Sequence, residues 1–184
     1  MKTVIHIFGA SGSGVTTLGA KICEATGFLH MDTDDYFWLP TDPKFTTKRP
    51  AEKRLALMTS DIERSEGAVI SGSLDGWGDG LIPYFTLAVR LETDQELRIE
   101  RLRRREMERF GTRIAPGGDM YRQHTDFIEW AKAYDNGGPE QRSKLRHDVW
   151  QEKLPCGLLR LDGADSPEVN AKKVLSALQI MKEI

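Results

Sequence analysis

The sequence predicts an α/β fold, a five-stranded and mostly parallel sheet with helices on both faces. Three observations predict it. Short β-branched, apolar runs alternate with stretches of helical period, the pattern of parallel strands joined by helical crossovers. The first such run leads straight into a glycine-rich loop and then a helix. With 184 residues, 39% of them hydrophobic and 29% charged, the chain is long enough to bury a two-sided core as one domain spanning 1–184.

Thr3 to Phe8 is apolar on both sides, as a buried parallel strand should be. After the glycines, Leu18, Ile22 and Ala25 recur at helical spacing until Gly27 offers a stop. A second strand over Phe28 to Met31 ends at Asp32, Asp34 and Asp35. Tyr36 to Pro50, rich in proline and aromatics, has no period and reads as an ordered excursion. A helix carrying Leu55, Leu57, Met58 and Ile62 follows, and then a strand over Ala68 to Ser71 that leads into Gly72-Ser73. Phe85 to Leu91 is the fourth strand. Thr93-Asp94-Gln95-Glu96 has capping-box spacing and starts a helix to about Phe110. Past Pro116-Gly117-Gly118, Asp119 is expected to cap another helix, and Gly137-Gly138-Pro139 separates that one from a helix through Trp150. Gly157 to Leu161 is the fifth strand, and Ser166-Pro167 opens the last helix with a cap and a first-turn proline.

A formal net charge of −2 gives no reason to expect nucleic acid or a membrane surface as partner. Neither a spanning stretch nor a leader is evident, so a cytoplasmic monomer or homodimer is expected. Cys23 and Cys156 lack metal-ligand spacing and read as small packed side chains.

The loop Gly9-Ala10-Ser11-Gly12-Ser13-Gly14-Val15-Thr16-Thr17 carries the chemistry. A phosphate-binding loop has Gly, four residues, then Gly-Lys-Ser/Thr; its backbone N–H groups cradle phosphates, its lysine reaches the outer ones and its hydroxyl holds Mg2+. Here the glycines and Thr16 are in place, but Val15 stands where the lysine belongs. In open α/β sheets ligands lie beyond the carboxyl ends of the strands, which brings this loop, the acidic cluster and Gly72 together. Asp32 and Asp34 are both candidates for binding Mg2+ through water or for accepting the proton of an attacking hydroxyl, with Asp34 favoured for the catalytic role; Asp35 reads better as a turn cap.

The segment 98–113 holds seven arginines and three glutamates, 7 − 3 = +4 in a near-neutral chain. At roughly 100° per residue, Arg98, Arg101, Arg105 and Arg109 form one helical stripe, while Glu100, Arg104 and Glu108 can pair on another. A solvated face is the bland explanation; the preferred one is a lid over about 98–118, its arginines closing on polyphosphate.

These features resemble the small P-loop kinases of the adenylate-kinase-like and shikimate-kinase-like group, through Gly9 to Thr17, Asp32-Thr33-Asp34, Ser71-Gly72-Ser73, the arginine segment and Leu161-Asp162-Gly163. The resemblance implies a three-layer P-loop NTPase fold with a helical lid, and ATP or another nucleoside triphosphate with Mg2+ as cofactors. It also implies metal contact by Thr16 and Asp32, catalysis at Asp34, Arg101 and Arg105, nucleotide contacts from Arg98 and Arg109, and Asp162 beside the base. The excursion 36–50 falls where such kinases hold their acceptor, making Trp38, Lys48 and Arg49, with Asp34 and Gly72, acceptor-binding candidates; a core plug and a solvated turn explain the excursion equally well.

Losing the lysine removes a charge-assisted hydrogen bond of roughly 1.5–3 kcal/mol unless another cation replaces it. The expected function is therefore phosphotransfer to a small-molecule acceptor, nucleosides and nucleotides among the candidates, with the arginine stripe supplying the displaced charge. The competing reading is a nucleotide-binding protein without transfer activity.

Overall fold

Side-chain alternation along β1 (Thr3–Gly9) decides the layering. Val4 and Phe8 join the apolar cluster on one face of the sheet, Ile5 and Ile7 the cluster on the other. A strand apolar on both faces needs cover on both, so helices settle on each side. The computed structural model describes residues 2–183. Its strands β1, β2 (Leu29–Asp32), β3 (Gly67–Ser71), β4 (Leu87–Glu92) and β5 (Gly157–Asp162) lie in the order β2–β3–β1–β4–β5, each neighbouring pair parallel. The helices are α1 (Val15–Thr26), α2 (Thr33–Phe37), α3 (Ala51–Arg64), α4 (Gln95–Phe110), α5 (Tyr121–Lys132), α6 (Lys144–Gln151) and α7 (Pro167–Glu183).

Leu18 and Ile22 of α1 meet Ala171, Val174 and Leu178 of α7 over Ile5, Ile7, Val69 and Val89. On the opposite face, Met58 and Ile62 of α3 and Trp150 of α6 cover Val4, Phe8, Ile70 and Ala88. A third, smaller cluster joins Ile99 and Leu102 of α4 to Ile128 and Ala131 of α5, so these two helices form an arm with its own apolar seam. Fully burying a side chain such as Leu102 contributes about 1.5–3 kcal/mol, which fixes the arm as a unit.

The predicted three-layer α/β architecture with its five parallel strands is the one observed, with strand ends shifted by a residue or two. Gly27 terminates α1 in the left-handed region, φ +73°, its N–H donating to the Cys23 carbonyl. Ser166 caps α7 by accepting from the Val169 N–H at 3.3 Å.

Several local expectations fail for identifiable reasons. Asp94, not Thr93, caps α4, accepting from the Glu96 N–H, because the Thr93 hydroxyl is turned to the Ser13 carbonyl of the glycine loop. Asp119 does not cap α5; Arg113 draws its carboxylate away at 2.7 Å, and the helix starts without a side-chain cap. Among the described residues, Glu100, Arg104 and Glu108 form no ion pair, and Leu57 faces solvent. The sequence also hides α2, a five-residue turn of helix nucleated by Asp32 just before the excursion.

Candidate functional site

The carboxyl end of β1 runs into the glycine loop, whose shape depends on two residues in the left-handed region, Gly12 (φ +83°) and Gly14 (φ +100°). A Cβ on Gly12 would sit 2.6 Å from the Arg98 carbonyl, so α4 presses directly on the loop. Gly14 puts no capping side chain over the start of α1, which leaves the first-turn N–H groups and the positive helix end facing the space above. Val15 is half-buried and packs against the apolar cluster of α1 and α7.

One cleft of about 850 Å³ opens over this loop. Gly9 through Thr17, Asp32, Asp34, Trp38, Lys48, Gly72, Arg101, Arg105 and Arg109 all line it. The Thr16 hydroxyl donates to the Asp32 carboxylate at 3.1 Å, while the other Asp32 oxygen accepts from the Asp34 N–H at 3.0 Å and holds α2 in place. Gly72 (φ +121°) has to be glycine because a Cβ there would collide with Thr33.

Asp34 lines the cleft with its side chain open to it. Burial, and after it the charge of Asp32, pushes its carboxyl above the usual range; Arg142, Arg105 and Arg109 pull the other way. Burial and the neighbouring Arg109 lower the Arg105 pKa, though a guanidinium stays protonated regardless. Arg101 donates to the Gly163 carbonyl at 2.9 Å and comes within 3.9 Å of where a Cβ on Gly14 would be, so its charge lies against the phosphate loop.

Three expected site residues stand outside the cleft. Arg98 is fully buried and committed to structure: it pairs with Asp135 and donates to the carbonyls of Thr93 and Ala131. Its Cα lies on the arginine stripe, but the α4–α5 seam turns its side chain inward. Asp162 accepts from the Ala164 N–H at 2.8 Å and shapes the turn after β5, leaving Gly163, Asp165, Pro167 and Asn170 to line that end. Arg49 donates to the Tyr36 carbonyl at 2.9 Å and braces the excursion from behind.

Other residues that line the cleft carried no sequence cue for that role. Arg142, between α5 and α6, makes no hydrogen bond or ion pair among the described residues and lies over the Trp130 ring at 5.2 Å. Burial lowers its pKa, and Asp34 and Asp75 counter that shift through their charge. Asp75 is itself bound to Arg146 at 2.7 Å. Glu106, Phe45, Gln123 and Phe127 also reach the cleft. The sequence does offer Tyr121, His124 and Trp130 as pocket or core residues of one helix; His124 and Trp130 line the cleft, whereas Tyr121 is exposed and does not. Ser73, beside Gly72, is fixed by His147 at 3.0 Å, whose other ring nitrogen meets the Tyr134 hydroxyl at 2.8 Å.

The outer wall of the cleft joins two segments far apart in sequence. Arg113 reaches Asp42 at 2.8 Å, Gln123 donates to the Lys44 carbonyl at 2.8 Å, and Arg109 lies over Phe45 at 5.7 Å. The arm and the excursion are thereby fastened across the opening.

No protein-family model matches the chain. The uncharacterized protein YqaC of Bacillus subtilis (strain 168) is 43% identical over 178 residues, 97% of this chain and 98% of that one. The chain belongs to the YqaC family. Among solved structures, a shikimate kinase from Bacteroides thetaiotaomicron matches with a TM-score of 0.60 at 15% identity, over 96% of this chain and 98% of that one. A gluconokinase from Sinorhizobium meliloti 1021 matches with a TM-score of 0.52 at 18% identity, over 98% and 94%. These neighbours are small P-loop kinases, and this chain shares their three-layer P-loop fold.

Proposed function

We propose that the chain is a phosphotransferase that moves a phosphoryl group from ATP, or another nucleoside triphosphate, with Mg2+, to a small-molecule acceptor. The observation that carries this reading is Asp34: its carboxylate makes no hydrogen bond or ion pair among the described residues and lines the same cleft as the phosphate loop, with Arg105, Arg109 and Arg142. A binding module needs the loop; it does not need a base beside it. The small-molecule kinases among the structural neighbours support the reading at the level of fold.

The residues fit the cofactors. Octahedral Mg2+ at about 2.0–2.1 Å from its oxygens separates adjacent ligands by roughly 3 Å, and the Thr16 and Asp32 oxygens are 3.1 Å apart. Among the described residues no group of three His, Cys, Asp or Glu could hold a metal. That agrees with a site of two protein oxygens completed by phosphates and water. Bound there, the metal would neutralise charge on the outer phosphates.

Each side chain then has a task. The backbone of Gly9 to Thr17 binds the phosphates, with Arg101 beside it as the cation in place of the missing lysine. Asp34 accepts the proton as the acceptor hydroxyl attacks. Arg105 and Arg109 stabilise the charge of the phosphoryl group in transit. Trp38, Lys48, Gly72 and Arg142 hold the acceptor, and the arm excludes water.

Val15 favours the alternative, nucleotide binding without transfer. ADP release with ATP, Mg2+ and a panel of nucleosides, nucleoside monophosphates, sugars and hydroxy acids decides between them. Acceptor-stimulated turnover is expected; ATP binding with no turnover on any acceptor would establish the alternative.

A further inference from the structure

Glu106 has no place in the tasks above, yet it is the most conspicuous polar group of the cleft. Its side chain is only 9% exposed, and it lines the cavity. Among the described residues, no donor lies within hydrogen-bond distance of either carboxylate oxygen: Arg105 Nη2 is 3.8 Å from Oε1 and His124 Nδ1 is 3.8 Å from Oε2. Both oxygens keep access to the cleft, so donors brought by a ligand can reach them. His124 Nδ1, unlike the Glu106 oxygens, is buried without a hydrogen-bond partner.

The surroundings narrow what could satisfy Glu106. Phe127 and Trp130 stand nearly parallel, 25° apart with centroids at 5.9 Å, and Trp38 and Phe45 meet edge to face on the side of the excursion. All four line the same cleft. Aromatic faces hold flat π-systems by stacking. Two open oxygens on one carboxylate match two parallel N–H donors on one ligand edge.

We propose that the acceptor is a planar nitrogen heterocycle with two adjacent N–H donors on one edge, the ring N–H and exocyclic amine of guanine, carried as a nucleoside or nucleotide. Glu106 accepts both N–H bonds, the aromatic walls hold the ring, and the hydroxyl or phosphate end points toward Asp34 and Arg142. This rests on the phosphotransfer reading for the reaction, and on the geometry of the cleft alone for the ligand.

The test is calorimetric titration of the full chain, with a non-hydrolysable ATP analogue and Mg2+ filling the loop side, against guanosine, GMP, inosine and shikimate. Inosine keeps the ring N–H and lacks the amine. Guanosine or GMP is expected to bind, the tighter of the two identifying the source of the ring. Inosine is expected to bind about tenfold or more weakly than guanosine, as when one half of a bidentate pair is lost. Glu106→Gln should erase that difference. Equal affinity for guanosine and inosine in the wild type, unchanged discrimination in Glu106→Gln, or binding of shikimate without binding of guanosine or GMP would each overturn the proposal. Because the wild-type comparison stands alone, a variant that fails to fold leaves the test intact. ADP release is measured separately: guanine-selective binding with no turnover would refute phosphotransfer while sustaining the ligand assignment.

Discussion

Replacing Arg101 with alanine tests whether the displaced charge has been relocated. In the structure this guanidinium lies against the phosphate loop, within 3.9 Å of the Cβ position of Gly14, and donates to the Gly163 carbonyl at 2.9 Å. Unit charges about 4 Å apart at an effective dielectric of about 20 attract by roughly 4 kcal/mol. Part of that is spent on desolvation, which brings the net close to the roughly 1.5–3 kcal/mol of a charge-assisted hydrogen bond. Arg101→Ala should therefore weaken ATP binding by about ten- to a hundredfold. The lost bond to Gly163 should lower folding stability by only about 1 kcal/mol. Calorimetric titration with ATP and Mg2+ measures the first effect and denaturant unfolding the second. Adding Val15→Lys to Arg101→Ala should restore most of the affinity, since the lysine returns to the position the loop is built for. An Arg101→Ala protein that binds ATP within twofold of wild type would refute the relocation, as would a double variant no better than the single one.

Asp34→Asn should lower kcat by about a hundred- to ten-thousandfold, the usual share of a general base, while ATP affinity stays within a few-fold; a kcat loss under tenfold would remove Asp34 from that role. Arg113→Ala cuts the fastening of the arm to Asp42, so hydrolysis of ATP by water should rise relative to acceptor phosphorylation with little change in Tm, because these ion pairs are exposed. The comparison is one of ADP formed against phosphorylated product. His6 is buried between Phe8 and Phe85, and burial pushes its pKa down to about 3. The folded state therefore resists a proton that the unfolded chain takes up below about pH 6.5. Stability should fall as pH drops from 6.5 toward 3, by about 2 kcal/mol at pH 5 from this residue alone. Burial pushes His147 down to about 3 as well, so His6→Phe should remove about half of this histidine-dependent loss in urea unfolding at pH 5 and pH 7, and an unchanged slope would count against the assignment.

The legible part of the site was the part made of consecutive residues. Gly12, Gly14, Thr16 and Asp32 act through backbone geometry and near-neighbour spacing, and the structure keeps them together. The arginine stripe was half legible. Helical periodicity placed Arg98, Arg101, Arg105 and Arg109 on one face, yet a face a full arm long meets different surroundings along its length. Near its base Arg98 is drawn inward by Asp135 and two carbonyls, whereas Arg105 and Arg109, farther along, reach the cleft. Asp162 misled for a similar reason: its carboxylate had a nearer donor in the turn it belongs to. Arg142 and Glu106 had no cue, since the first is an isolated arginine in a connecting segment and the second one glutamate among several on a charged helix.

By itself the sequence determined the layers and the loop. Burial on both sides of β1 requires helices on both faces, and glycines at left-handed positions leave the N–H groups of α1 open whatever else surrounds them. Tertiary structure alone decided which charges face the cleft. A guanidinium or carboxylate is claimed by whatever partner lies within a few ångströms, and those partners come from segments tens of residues away: Asp135 for Arg98 and Gly163 for Arg101. Val15 shows both halves of the division, because the sequence reveals that a cation is missing while only the fold brings Arg101 to the loop that lacks it.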